Sequence, residues 1–425
     1  MQNTPVRMRA PEDGAPVVRN KGYVLCVLLI LAATLFQKIA LPGTSGVLPI
    51  TTIILPILVV SGWCLGLLLI DIYAFFALVA FLTSASISLY LNGGSTKVSF
   101  GSIALFTMVQ SVLIFRRPSG AYGFSKAAEF FRNWMYVLAI LGIAQYALQY
   151  IISAKFAFAL DYYLPSDMIV KIYNNLNPLF YGSQNFKSNG VFFAEPSVFS
   201  QFIGVALVYE LATSQKMRRI AIFLVALLCT FSGTGIIVVF VFGTYQVLKR
   251  ISFKVILTAG ALALIVITLG GALQIDALTE RVTEFATPNS SGHARFISIF
   301  GLLDAVTFTN VTWAFFGTGP GTISSYFLYL PYAVFDPTWG KILFEYGLIG
   351  ATSYAVYFIM AVKGPDNPAR GPLTLSFFVL GGYFLDGSML TLVAVLVAFQ
   401  KQPSRYLVPT MAIPGSFIPR RQANV

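Results

Sequence analysis

The sequence predicts an all-α polytopic integral membrane protein of about 12 transmembrane helices, two short interrupted hairpins among them, with a large loop region on one side. Three observations lead there. Of 425 residues, 57% are apolar and only 10% are charged, with a mean hydropathy of +0.77. A soluble chain carries roughly 25% charged residues, so this one has too few to cover a water-facing surface. The apolar share amounts to roughly 240 residues, enough for about twelve spans at about 20 residues each. The basic residues, finally, gather in short patches between apolar runs. A soluble enzyme, a nucleic-acid module and a secreted disulfide scaffold are excluded.

The patches turn a formal net charge of +12 into a topology signal. Of 28 Lys and Arg, twenty lie in six places. These are the tail through Lys21; Arg116, Arg117, Lys126 and Arg132; Lys216, Arg218 and Arg219; Lys249, Arg250 and Lys254; Lys363 and Arg370; and Lys401 onward. Positive residues stay cytoplasmic during insertion, so these mark one face, and no nucleic-acid partner is implied. Cys26, Cys64 and Cys229 lie in apolar segments without metal-ligand spacing and read as small hydrophobes.

The first apolar run, 22–41, follows a polar, Pro-containing tail and ends without a small-residue cleavage pattern, so it reads as a span and not a leader. Further spans are 47–63, 67–91, 99–115, 134–154 and 191–211. Alternation puts 42–46, 92–98 and 155–190 outside, and 116–133 and 212–219 inside. Residues 220–248 carry basic patches at both ends and break at Ser232-Gly233-Thr234-Gly235. Two half-helices turning there keep both patches inside. Each half of about 13 residues rises about 20 Å, which leaves the turn below the outer surface. Such backbone is tolerated only in protein or beside a wet cavity. Residues 373–399 repeat the design around Asp386-Gly387-Ser388. With 254–273 and 338–362 the count is twelve, both termini are cytoplasmic, and 274–337 lies outside. The organisation is a tail at 1–21, one membrane domain at 22–400 and a tail at 401–425. Reading both interrupted segments as single spans instead moves 274–337 inside.

On the first topology the polar residues collect on the outer face. Segments 155–190 and 274–337 hold most of the non-cytoplasmic charge, together with the lone histidine, His293. Lys187, Arg281 and Arg295 run against the insertion bias. They read either as solvated charges paired with acids or as binders of an anionic ligand. Glu195 stands in Phe192-Phe193-Ala194-Glu195-Pro196-Ser197, where Pro196 suits the first turn of a helix. An acid there either caps the helix dipole or, as an ionisable group at membrane depth, performs a function. A carboxylate among apolar residues tends to have a raised pKa, which suits a general base. The outer aromatics, Tyr162, Tyr173, Phe186, Trp313, Tyr326, Tyr329 and Tyr332 among them, read as an interfacial belt or as surfaces for sugar rings.

Other patterns carry less. Gly317-Thr318-Gly319-Pro320-Gly321 lacks the Lys-Ser/Thr and the preceding strand of a phosphate loop. It reads as a turn into a short helix near 321–330, whose N-terminus would attract an anion. No His-Glu pair or carboxylate cluster has metal spacing, and no Ser-His-Asp arrangement forms around one histidine; no metal or cofactor is implied.

Four stretches, in order, resemble the bacterial Wzy-type polysaccharide polymerase and O-antigen ligase superfamily. Lys187 through Ser197 is similar to its basic-x-x-Gly stretch leading to Phe-x-Glu-Pro-Ser. Thr230 through Gly235 is similar to its interrupted Ser-rich span. His293-Ala294-Arg295 is followed by Phe316 through Gly321, and Trp339 through Gly350 is like its Leu-x-Glu-x-Gly-Leu-x-Gly helix. The resemblance covers roughly residues 20–400. Arg281, ten residues and Gly292 match a spacing named for some sugar polymerases, but with 35 Gly in 425 residues such a match arises by chance about one time in twelve.

The resemblance implies a GT-C-like glycosyltransferase acting without metal or cofactor at the periplasmic face of the bacterial inner membrane. It moves a glycan from an undecaprenyl-pyrophosphate carrier to an acceptor sugar. Its implied partners are the lipid-linked donor and acceptor, the bilayer, a chain-length regulator and export machinery. By position, Glu195 deprotonates the acceptor hydroxyl and the anomeric carbon inverts in a single displacement. Arg295 and Lys187, with Arg281, hold the pyrophosphate. His293, Ser232, Thr234, Tyr326 and Trp339 complete the implied pyrophosphate and glycan contacts. There are departures. Lys187 replaces the commoner Arg, and Gly190 lies one residue further from Glu195 than the pattern. Ligases carry a His-Asn pair where this chain has Pro337-Thr338, which favours a polymerase. A ligase, a transferase acting on protein and, in another class, a lipid-linked sugar flippase remain the alternatives. Discontinuous helices are a transporter feature, but no inverted repeat is visible.

Overall fold

The computed structural model describes residues 16–44, 46–118, 124, 126–180, 182–245, 290–364, 366–401 and 406–407. The span expected at 254–273 lies outside these residues, as does Arg281. Described in this way the protein is mostly helical with three very short strands. Its α-helices of six or more residues are α1 (Pro16–Leu35), α2 (Thr51–Cys64), α3 (Ile72–Asn92), α4 (Phe100–Gln110) and α5 (Ala127–Ile151). Then come α6 (Pro196–Ala212), α7 (Met217–Cys229), α8 (Gly233–Val238), α9 (Ser291–Phe296), α10 (Ser298–Ala305) and α11 (Val311–Phe316). The last are α12 (Thr338–Val362), α13 (Arg370–Leu375) and α14 (Gly387–Leu396). Three of them, α3, α5 and α12, are long and apolar enough to cross a membrane. Their outward faces are apolar too, with Phe76, Val79, Ile87, Val137, Ile140 and Ile359 exposed. Such a surface suits lipid and not water.

The core forms around α6, almost every residue of which is buried. Phe193, Phe199 and Phe202 stack at its head. A second aromatic group, Phe81, Phe106, Tyr346, Tyr354 and Phe384, joins α3, α4 and α12 to the segment before α14.

Loops expected on one side do share an end. At the first end, Arg116 pairs with Asp71 at 3.2 Å, and Arg132 reaches Ser214 at 2.6 Å. Lys401 Nζ donates to Met360 O there, and Gln400 to Phe124 O. A three-stranded sheet of Leu69–Asp71, Phe115–Arg116 and Tyr406–Leu407 lies here, with the first strand central and both pairings antiparallel. At the other end, Ala40 N donates to Met168 O, Lys171 N to Gly46 O, and Ser99 N to Pro320 O.

Both interrupted segments reverse direction. Thr230 through Ser232 break the chain after α7, with Phe231 at φ 45°. Helix α8 then runs back along α6, so that Gly235 lies beside Ser200, Val238 beside Gly204 and Gly243 beside Leu211. A Cβ on Gly235 would stand 2.3 Å from Ser200 O, so only glycine permits this backbone approach. The turn therefore ends on the first residue of the Ser-Gly-Thr-Gly step, whose last three residues open α8. In the second segment Asn367 Nδ2 donates to Leu396 O, which brings the two ends together. The break at 381–386 lies far from them, against Thr338 and Gln201.

Several boundaries differ from expectation: α5 opens at Ala127 and not at 134, and α6 at Pro196 and not at 191. The first helix ends at Leu35, not near 41. Lys38 is drawn into a buried ion pair with Asp161 at 2.6 Å, and residues 38–40 pair with the 168–170 stretch and with Pro49 instead.

Candidate functional site

The head of α6 carries the candidate acid. Glu195 occupies the N-cap position in extended backbone and Pro196 the first helical turn, as local rules require. The stretch leading in is held by α5. Gln145 Oε1 accepts from Ser188 Oγ at 3.0 Å and from Asn189 N at 3.1 Å, and Gln145 Nε2 donates to Asn189 Oδ1 at 2.9 Å. Gly190 and Val191 both take positive φ, 64° and 70°. For a β-branched residue that conformation is strained, and Gln145 and the ring of Phe199 enclose it. Lys187 is buried at the start of this stretch, with its amide donating to Asn177 O at 2.8 Å.

The Glu195 side chain makes no cap bond to its own helix. Its Oε1 accepts instead from the Ser197 hydroxyl and from Arg295 Nη2 at 3.0 Å. Arg295 Nη2 also lies 3.3 Å from Ser197 Oγ. Among the described residues nothing hydrogen-bonds the other carboxylate oxygen. Glu195 therefore does not stand among apolar residues alone: a guanidinium faces it, which is the pairing with an acid that the sequence left open for Arg295. Arg295 comes from α9, where its Cζ stands 5.1 Å from the ring centre of Phe335.

Ser232 and Thr234 meet this centre from behind. Thr234 Oγ1 donates to Ser197 O at 3.2 Å and lies 3.0 Å from Ser232 Oγ and 3.1 Å from Ser200 Oγ. Their hydroxyls fasten the first hairpin turn to the first turn of α6. His293 shares α9 with Arg295 two residues away, a spacing that puts the two on different faces. Its ring meets Tyr332 edge-on at 4.9 Å, and among the described residues its buried Nδ1 has no hydrogen-bond partner.

Tyr326 and Trp339 belong to a separate apolar cluster with Ile299, Leu302 and Phe344. Trp339 packs on Phe300 at 5.2 Å, and Lys97 Nζ stands 3.9 Å over the Tyr326 ring. Among the described residues no hydrogen bond or ring contact joins either to Glu195. The expected turn at 317–321 is present, with a short 3₁₀ helix at Ile323–Tyr329. Its anion-binding prospect is corrected, because its donors are taken. Thr318 N and Gly319 N donate to Phe344 O and Glu345 O, and the Glu345 carboxylate accepts from Ile323 N. The turn docks on α12 where Gly347, at φ 65°, breaks the helix.

Two further residues, Gln201 and Tyr383, were not singled out by sequence, whereas Tyr173 was named among the outer aromatics and Asp386 in a hairpin apex. Tyr383 OH donates to Gln201 Oε1 at 3.0 Å, and Tyr173 OH donates to Asp386 Oδ2 at 2.7 Å. Both phenols lie within charge reach of Glu195 and Asp386. Burial, with those carboxylates beside it, pushes the Tyr173 phenol well above its ordinary value and keeps it a proton donor in the hydrogen bond. Among the described residues no three His, Cys, Asp or Glu gather as a metal site would require.

The site therefore offers a carboxylate with one oxygen unengaged, a guanidinium beside it and hydroxyl groups around both. That is equipment for moving a proton next to a developing negative charge. Comparison with family models, with curated proteins and with solved structures finds no match in any of the three.

Proposed function

We propose that the protein is a Wzy-type polysaccharide polymerase, a multi-pass inner-membrane glycosyltransferase of about 12 spans and GT-C-like layout. It joins undecaprenyl-pyrophosphate-linked oligosaccharide repeat units at the periplasmic face. One observation carries the reading: Glu195 holds the cap position of α6, declines the cap, and turns to Arg295 with an oxygen left open.

The acceptor hydroxyl gives its proton to the open oxygen of Glu195 as its own oxygen attacks the anomeric carbon. The bond from that carbon to the pyrophosphate oxygen breaks, the electron pair leaves with undecaprenyl pyrophosphate, and configuration inverts. General-base assistance of this kind supplies typically about 10²–10⁴-fold. By the resemblance, Arg295, Lys187 and Arg281 neutralise the negative charge that grows on the leaving group. The two hairpin turns, at 230–232 and 381–386, bring polar backbone to the same end of the protein as Glu195, a feature that suits a wet cleft.

The deciding experiment is deletion of the gene with analysis of the carrier-linked glycan. Single repeat units persisting on the carrier, and in vitro chain growth from such units by the purified protein, are expected. Complete polymer left on the carrier points to a ligase. Units trapped on the cytoplasmic leaflet point to a flippase. Either outcome ends the polymerase reading.

A further inference from the structure

The geometry points to a second binding site beside Glu195, in which Asp386 and Tyr173 take hydroxyl groups of the acceptor sugar; this rests on the polymerase reading above. Asp386 sits at the apex of the second hairpin and is half-buried. Among the described residues, every other carboxylate that is not exposed has a Lys or Arg partner. Asp71 has Arg116, Asp161 has Lys38, Glu195 has Arg295, Glu210 has Arg132, and Asp336 and Glu345 share Lys341. Asp386 has none.

Capping does not account for its surroundings. The cap of α14 needs only Oδ1, which accepts from Ser388 N at 2.6 Å. The other oxygen, Oδ2, accepts the Tyr173 hydroxyl at 2.7 Å, from a residue 213 positions earlier in the chain. A carboxylate oxygen has a second lone pair, and a phenol oxygen that has donated its proton still accepts. Two neighbouring acceptors without a cation suit a ligand that brings several O–H donors, and the half-buried ring of Tyr173 offers an apolar face next to them. A sugar has both features. A divalent cation would want more anionic ligands than Asp386 and an already paired Glu195.

Asn caps a helix as well as Asp does, so Asp386→Asn keeps the turn while removing the charge, and Tyr173→Phe removes only the hydroxyl. The assay varies free repeat-unit oligosaccharide, released from its carrier, as acceptor against fixed carrier-linked unit and full-length protein in nanodiscs. Each variant is expected to raise the acceptor KM at least about tenfold with kcat within about threefold. The double variant is expected to add little to either single change. An active wild type whose acceptor KM is unmoved by both changes overturns the inference and leaves the polymerase reading standing. So does activity that is lost on chelation and regained with a divalent cation only when Asp386 is present, which would make this a cation site. A wild type without turnover overturns the polymerase reading and this inference with it.

Discussion

Replacing Glu195 by Gln separates its two possible employments, because the structure assigns them different costs. The side chain makes no bond to the amides of α6, so the roughly 0.5–2 kcal/mol lost with a helix cap is not at stake. What changes is the bond to Arg295 at 3.0 Å. Gln still presents a carbonyl oxygen there, and charge-assisted bonds are roughly twice as strong as neutral ones. The loss of stability is then about 1 kcal/mol. Catalysis is another matter, since an amide cannot take the acceptor proton. A fall of about 10²–10⁴-fold in rate corresponds to about 2.7–5.4 kcal/mol of barrier at 1.36 kcal/mol per tenfold. The assay is chain extension of carrier-linked repeat units by protein in nanodiscs, read as a ladder, with thermal unfolding followed in parallel. Full activity in Glu195→Gln, or activity falling only as far as folded protein falls, refutes the base assignment and returns Glu195 to a structural role.

Three further outcomes follow from other parts of the molecule. Glu210 is fully buried between Arg132 at 3.3 Å and Arg219 at 3.7 Å, and also accepts from Ser214 Oγ and Lys216 N. Glu210→Ala leaves the buried Arg132 with only the exposed Glu129, at 3.8 Å, as a charged partner and should cost about 3–5 kcal/mol in thermal unfolding; an unchanged melting temperature would contradict the cluster. Gly347→Ala places a Cβ 2.4 Å from the Phe315 backbone at φ 65°, so a loss of at least about 1–3 kcal/mol is expected, checked by the same measurement. Finally, a Cys at Ser290 in a background lacking Cys26, Cys64 and Cys229 should react with a membrane-impermeant maleimide in intact cells whose outer membrane is leaky. Reaction only after the inner membrane is opened would invert the proposed topology.

Much of the layout was legible because it depends on quantities that are local in the chain. Apolar run length sets helix candidates, and basic patches at both ends of 220–248 force a reversal whatever the rest of the fold does; the reversal is present, turning at 230–232. Pro196 marked the start of α6 to the residue. What failed depended on partners distant in sequence. The first helix stops at Leu35 because Lys38 pairs with Asp161, 123 residues away. The glycine turn at 317–321 resembles an anion site only until the carbonyls of Phe344 and Glu345 consume its amides.

Glu195 shows both halves of this division at one residue. Local rules set its backbone: an extended N-cap before a proline, as any acid at that position would adopt. They leave its side chain undecided, because a glutamate is not among the residues that favour an N-cap bond, and the carboxylate does not fold back on its helix. Arg295, 100 residues later, competes for the same oxygen with a full charge against a helix end worth about half of one. The full charge at 3.0 Å wins that comparison. A sequence in which residue 295 were neutral would keep the same helix, the same proline and the same cap position, yet its Glu195 would lack the guanidinium it faces here. The feature on which the proposed chemistry rests is therefore a property of the pair, and reading it required the distance between them.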